Sequence, residues 1–292
     1  MELAISLNCE CGKDTKETLK NIKAAGFKAV MLSETAGFDC DILSKKDMVG
    51  EELEDTIRAA FALGLKIPNA HLGYSRDKDI YHECEERGLD FVRSTIKKLE
   101  ILGRYKIPVA VIHPVSDSKP DTPLPGAIAL RRMKEIVAAA DINNVKLAVE
   151  NLAVHDNEYL FYYLENIDSD YLGICFDAGH ANNYPPRVDM LKTWGHKLFA
   201  IHLHDNYGGT EHNYDDKKDY HFLPFDGTIN FKKVLREIAA AGWKGEIGLE
   251  LHRVINKKFG VQKYDHMSPL EFLREARKRG ETLCKMIFTK NT

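Results

Sequence analysis

What this chain lacks narrows it quickly. No apolar stretch approaches the roughly 18 residues that a membrane-crossing helix needs. The N-terminus, MELAISLNCECGKD, has neither the charged start nor the long apolar run of a secretion signal, so a cytoplasmic protein is expected. Six cysteines in 292 residues (Cys9, Cys11, Cys40, Cys84, Cys175 and Cys284) are too scattered to staple a chain large enough to build its own core, so free thiols are expected. Cys9 and Cys11 form a CxC, but no second pair stands at zinc-site spacing, which argues against a cysteine-based metal site. A net charge of −3 leaves no basic footprint, so neither nucleic acid nor an acidic membrane is favoured as a partner. No GxGxxG follows the first apolar run and no GxxxxGK[ST] occurs, which weakens nucleotide-binding readings.

What is present is a regular alternation. Short β-branched runs at Leu3–Leu7, Ala29–Leu32, Ile67–Leu72, Val109–His113, Leu147–Glu150, Leu172–Asp177, Leu198–Asp205 and Glu246–Leu251 read as eight strands. Between them lie helical patterns at Thr15–Ala25, Glu51–Leu63, Glu83–Leu102, Gly126–Ala140 and Phe231–Ala241, with Pro269–Phe288 after the last strand. Gly26, Gly64, Gly103 and Gly242 stand where helix C-caps belong. Eight strand–helix units without a break in composition imply parallel pairing and closure, hence an α/β fold: one (β/α)8 TIM barrel over residues 1–292.

Alternation along each strand then assigns faces. Leu147 and Val149, Leu172, Ile174 and Phe176, Phe199, Ile201 and Leu203, and Ile247, Leu249 and Leu251 form the outward apolar sets. The inward sets end in Glu150, Asp177, His202 with His204, and Glu250 with His252, above the small Ala148, Cys175, Ala200 and Gly248. His71 and His113 end the third and fourth strands in the same way. These residues collect at the C-terminal mouth, where barrel active sites lie. Glu150, Asp177 and Glu250 brought together unpaired would repel strongly, at a cost of several kcal/mol each. No inward Lys or Arg accompanies them, only His, and carboxylate plus imidazole is a donor set for divalent metal.

In order and spacing, NAHLGY around His71, AVIHPV at His113, LAVENL at Glu150, ICFDAGHAN with Asp177 and His180, AIHLHDN at His202, KDYHFLPFDGTINF with Asp219 and His221, and IGLELH at Glu250 resemble the xylose-isomerase-like TIM-barrel superfamily. That superfamily holds sugar and sugar-phosphate isomerases and epimerases together with endonuclease IV-type repair enzymes. The resemblance implies an isomerase–epimerase metal set of Glu150, Asp177, His202 and Glu250. The larger endonuclease IV set adds His71, His113, His180, Asp219 and His221, all matched here. One to three ions are therefore implied, zinc or manganese, with cobalt or magnesium as further options.

The surroundings favour the sugar branch. The chain reads Asp177-Ala178-Gly179-His180 where the repair enzymes have Asp-Thr-Cys-His, and HLHDN where they have HLND. The loops NCECGKD and SETAGFDCD lack the basic, intercalating character of a DNA grip. The expected activity is isomerisation or epimerisation of a sugar or sugar phosphate through an enediolate, with Glu150 and Glu250 as the catalytic acid–base pair. His180, His204, Tyr74 and Arg253 are candidate substrate contacts, and Arg76, Arg187 and Arg253 candidate phosphate ligands. Segments 118–126 and 206–227 are candidate lids. The alternatives are a multinuclear zinc phosphodiesterase of the AP-endonuclease type, in which Glu150 bridges two ions, and a barrel that only binds a sugar. The sugar and the oligomeric state, a homo-oligomer included, stay open.

Overall fold

In the computed structural model, residues 1–33, 50–73, 79–82, 84–115, 126–208, 219–254 and 263–288 are described. Strands and helices alternate as β1 (Leu3–Ser6), α1 (Thr15–Ala24), β2 (Ala29–Ser33), α2 (Glu51–Ala62), β3 (Ala70–His71), α3 (Glu85–Arg104), β4 (Val109–Ile112), α4 (Ala127–Ile142), β5 (Lys146–Glu150) and α5 (Val154–Asn166). They continue with β6 (Leu172–Asp177), α6 (Ala178–Asn183), α7 (Met190–Trp194), β7 (Leu198–His202), α8 (Phe231–Ala240), β8 (Ile247–Leu249) and α9 (Pro269–Phe288).

The strands lie in the order β7-β6-β5-β4-β3-β2-β1-β8, all parallel. Leu203, just past β7, closes the ring against β8: its N–H donates to Gly248 O (2.8 Å) and its carbonyl accepts from Glu250 N (3.2 Å). The result is a (β/α)8 barrel, as the eightfold alternation predicts. Among the described residues, no helix is long and apolar enough to cross a membrane.

Local chemistry sets the element ends. Asp14 caps α1 by accepting from Glu17 N at 2.8 Å, and Leu19 and Ile22, three apart, bury the helix's inner face. Gly26, Gly64 and Gly242 take the left-handed conformation expected of caps, at φ 91°, 64° and 81°. Gly103 does not: it lies inside α3, where a Cβ would come within 2.7 Å of Asn143 O, and Lys106 adopts the positive φ instead. β3 is shorter than its apolar run because Pro68, within that run, offers no N–H to a ladder. Helices α5, α6 and α7 have no counterpart among the expected patterns. In α5 the buried Tyr159, Leu160, Phe161, Tyr163 and Leu164 are nearly consecutive, so there is no polar face to produce a 3.6-residue contrast.

Two packed layers confirm the facing of the strands. Leu147, Val149, Leu172, Ile174, Phe176, Ile201, Leu203, Ile247, Leu249 and Leu251 join the continuous layer between strands and helices. Val109, Val111, Ala148, Cys175 and Ala200 form a separate interior cluster. Phe199 is the exception. The register shifts between Ile174 and Cys175, whose partners are Leu198 and Ala200, so Phe199 is the extra residue of a bulge. Its ring packs on the interior cluster over Gly173, not outward as simple alternation predicts.

Candidate metal centre

The mouth is built strand by strand. β3 ends in His71, β4 is followed by His113, β5 ends in Glu150, β6 in Asp177, β7 in His202, and Glu250 follows β8. His180 projects from α6, whose first turn begins where Asp177 accepts from His180 N at 2.7 Å. Asp219 and His221 come from the segment after β7, which returns to the barrel as Asp205 and Phe222 exchange backbone hydrogen bonds at 2.9 and 2.8 Å. All nine residues converge.

Glu150 is the hub and is 1% exposed. Its Oε2 meets His71 Nε2 at 3.0 Å and His113 Nε2 at 3.2 Å, and its Oε1 meets His202 Nδ1 at 2.6 Å. His202 Nδ1 also lies 3.1 Å from Glu250 Oε2 and 4.0 Å from Asp177 Oδ2. Farther across the mouth, Asp219 Oδ2 meets His180 Nε2 at 3.2 Å and His221 Nε2 at 3.1 Å. Among the described residues, donor atoms lie within 4.8 Å of one another in the groups His71–His113–Glu150, Glu150–Asp177–His202–Glu250, Glu150–Cys175–His202 and His180–His204–Asp219–His221.

This donor set fits divalent cations on three observations. Backbone carbonyls hold one ring nitrogen of three histidines: His71 Nδ1 with Leu72 O (3.1 Å), His180 Nδ1 with Asn151 O (2.9 Å) and His221 Nδ1 with Glu250 O (3.0 Å). With Nδ1 donating, each Nε2 is turned into the mouth in the tautomer a metal requires. Second, Asp177 Oδ2 is buried without a hydrogen-bond partner, a cost that a cation would relieve. Third, the ion pairs of Glu150, Asp177, Asp219 and Glu250 among the described residues are all to histidines, as the strand patterns predict.

The electrostatics agree. Burial opposes ionisation of Glu150, Glu250 and Asp219, yet the facing imidazoles hold all three carboxyls well below their ordinary range. Burial likewise disfavours charge on His180, but Asp177 and Asp219 raise it well above its usual value. His202 is raised against burial by Cys175, Glu250 and Glu150, and His221 is pushed up to about 9, chiefly by Asp219. Burial pushes His113 down to about 4 and the Cys175 thiol up to about 12. The carboxylates that draw protons onto these rings would draw a divalent cation equally.

Several participants carry no recognisable signal of their own. Asn151 braces Asp177 from both sides, accepting from its N–H (2.8 Å) and donating to its carbonyl (2.9 Å). Cys175, expected only as a small interior residue, lies beside Glu150 and His202. Arg253 is engaged by the carbonyls of Glu10 (3.3 Å) and Met267 (3.2 Å), and Arg187 pairs with Glu158. Tyr74, Arg76, Cys40, residues 118–125 of one candidate lid and 209–218 of the other lie outside the described residues. The described cysteines Cys9, Cys11, Cys84, Cys175 and Cys284 are free thiols.

Comparison with known proteins places this geometry. Residues 19–275 match the family model described as xylose isomerase-like TIM barrel. An uncharacterized protein, y4fM, of Sinorhizobium fredii is 33% identical over 125 residues, 41% of this chain and 38% of that protein, so the match spans about two fifths of that relative. A D-tagatose 3-epimerase-like protein superposes with a TM-score of 0.72 at 22% identity, covering 98% of this chain and 97% of its own. The IOLI protein, solved with a bound zinc atom, has a TM-score of 0.74 at 13% identity, covering 99% and 100%.

Proposed function

The chain belongs to the xylose isomerase-like TIM-barrel family, and from that premise we propose that it is a divalent-metal-dependent isomerase or epimerase of a sugar or sugar phosphate. The observation that carries the reading is the pair of carboxylates, Glu150 and Glu250, reaching one imidazole from different strands at 2.6 and 3.1 Å, with Asp177 beside them. A D-tagatose 3-epimerase-like neighbour supports the sugar, and the zinc of the IOLI protein supports the metal.

Glu150, Asp177, His202 and Glu250 would hold the catalytic cation. Bound there, it would supply Lewis-acid polarisation of a substrate carbonyl and the adjacent hydroxyl. The carboxyls of Glu150 and Glu250 stay ionised because imidazoles face them, so each is ready to accept a proton from carbon. One removes the proton next to the carbonyl; the other, having taken up a proton from solvent, delivers it to the enediolate from its own side of the mouth, and the first then releases its proton to solvent. Asn151 fixes Asp177 so that the donor set does not drift as charge moves. His71 and His113 hold the second oxygen of Glu150 and orient its carboxylate plane.

The test is solvent exchange. Protein loaded with manganese, cobalt or zinc is incubated with a panel of ketoses, ketose phosphates and inositol-like keto compounds in D2O. Deuterium entering the carbon beside the carbonyl, with formation of the epimer or aldose, is the expected result. The His180–Asp219–His221 group favours a second reading, a multinuclear phosphodiesterase. Efficient metal-dependent nicking of an abasic-site duplex, with no exchange on any sugar, would install that reading instead.

A further inference from the structure

His204 is the mouth residue for which the proposed chemistry has no use. It is fully buried, and neither ring nitrogen makes a hydrogen bond, although Nε2 lies 3.1 Å from Asp177 Oδ1 and 3.7 Å from Asp219 Oδ1. A buried imidazole nitrogen that makes no hydrogen bond costs roughly 1–3 kcal/mol. The fold makes room for it at a further cost. A Cβ on Gly179 would come within 1.9 Å of His204 Cε1 and 2.2 Å of its Nε2, so the ring occupies the volume of a side chain at position 179. Gly179 sits within helix α6 and its φ is not positive, so nothing in the backbone calls for glycine there. Glycine inside a helix loses about 0.5–1 kcal/mol relative to alanine. Both costs are borne to place this imidazole between Asp177 and Asp219 and against His221, on whose ring it stacks at 3.9 Å and 14°.

We propose that His204 is the fourth protein ligand of a divalent cation held by His180, Asp219 and His221, in a closed site that Gly179 makes possible. The inference rests on the reading that the mouth binds divalent metal. Zinc–ligand bonds near 2.0–2.1 Å in a tetrahedron place ligand atoms about 3.4 Å apart. Asp219 lies 3.2, 3.1 and 3.7 Å from the Nε2 atoms of His180, His221 and His204, the last through its other oxygen. His180 and His221 are already locked with Nε2 inward. His221 is held at φ 48°, a conformation unusual for a side-chain-bearing residue. Three imidazoles and one carboxylate at tetrahedral spacing would saturate this cation, whereas the carboxylate-rich Glu150–Asp177–His202–Glu250 set suits an octahedral ion that keeps positions for substrate oxygens. The cation beside His204 would therefore fasten residues 219–221 across the mouth and take no part in the chemistry.

Cobalt titration of chelator-stripped protein tests this, because four-coordinate cobalt(II) absorbs far more strongly in the visible than five- or six-coordinate cobalt. Wild type is expected to show one intense four-coordinate band that azide leaves unchanged. His204→Ala should weaken cobalt binding at that site by at least about 100-fold and replace the intense band by a weak, azide-sensitive one. Gly179→Ser, which displaces the ring without removing it, should do the same and carries the test if His204→Ala fails to fold. Normal intense bands and unchanged affinity in both variants would overturn the fourth-ligand assignment while leaving the metal reading intact. Wild type that binds no cobalt at all would overturn both.

Discussion

Replacing Glu150 by Gln separates a catalytic from a scaffolding role. The substitution keeps volume and removes one charge at the point where His71, His113 and His202 converge at 3.0, 3.2 and 2.6 Å. Charge-assisted hydrogen bonds contribute about 1.5–3 kcal/mol each, but a glutamine carbonyl still accepts one or two, and the burial cost of a carboxylate disappears. The net change in the stability of metal-stripped protein is therefore about 2 kcal/mol or less. The outward Leu147 and Val149 of β5 keep their packing, so the fold survives. Turnover is another matter. Losing the base alone costs about 10²–10⁴-fold, and weaker cation binding adds to it, so kcat should fall by at least about 10³-fold, or roughly 4 kcal/mol of barrier. Thermal melts with and without chelator, alongside deuterium exchange on a verified substrate, read both quantities. Near-normal turnover in Glu150→Gln would refute the acid–base assignment, and global unfolding would show that the carboxylate is structural. Glu250→Gln, which loses only the 3.1 Å contact to His202, should match it in rate and perturb the melt less.

Three further outcomes follow from the same geometry. Asn151→Ala strips partners from the buried N–H and carbonyl of Asp177, so it should destabilise by about 2–4 kcal/mol and weaken cation binding; a calorimetric titration that shows wild-type affinity would contradict the bracing role. Arg132 is fully buried and donates to Ile80 O (2.8 Å) and His82 O (2.9 Å), so Arg132→Leu should cost on the order of 3 kcal/mol by chemical denaturation while leaving metal content unchanged. Arg131 and then Arg132 hold the Glu85 carboxyl below its usual 4.5; its contribution is complete above that pH and lost as pH falls through the lower folded value, so wild type should lose melting temperature more steeply in acid than Glu85→Gln, and parallel curves would refute the link.

The barrel was legible because a parallel sheet covered by helices imposes period-two and 3.6-residue patterns that survive in the sequence. The convergence of Glu150, Asp177, His202 and Glu250 was legible for the same reason: strand-end residues of one parity must meet at the mouth of a closed barrel. Phe199 was not, because a bulge inserts a residue without leaving a compositional mark. Helix α5 was not, because burial on nearly every side erases amphipathic contrast. Nor was the part played by Asn151, since an asparagine that braces a neighbouring strand through backbone atoms looks like any polar residue at a strand end.

The least legible feature is a coupling. In the sequence, Gly179 in DAGH and His204 in HLHDN read as two separate departures from the repair-enzyme pattern, 25 positions apart. In the fold they are one change, because the His204 ring fills the space in which a side chain at 179 would stand. A larger residue at 179 therefore excludes His204 from its position, and His204 excludes a larger residue in return. Restoring Cys at 179 alone should thus be more damaging than the paired Gly179→Cys, His204→Asn variant, in which the new side chain enters vacated volume. Thermal melts of the two singles and the double, read as a double-mutant cycle, decide it. A coupling energy above about 1 kcal/mol in favour of the double is expected for residues in direct contact, and additive effects would show that the two departures are independent after all.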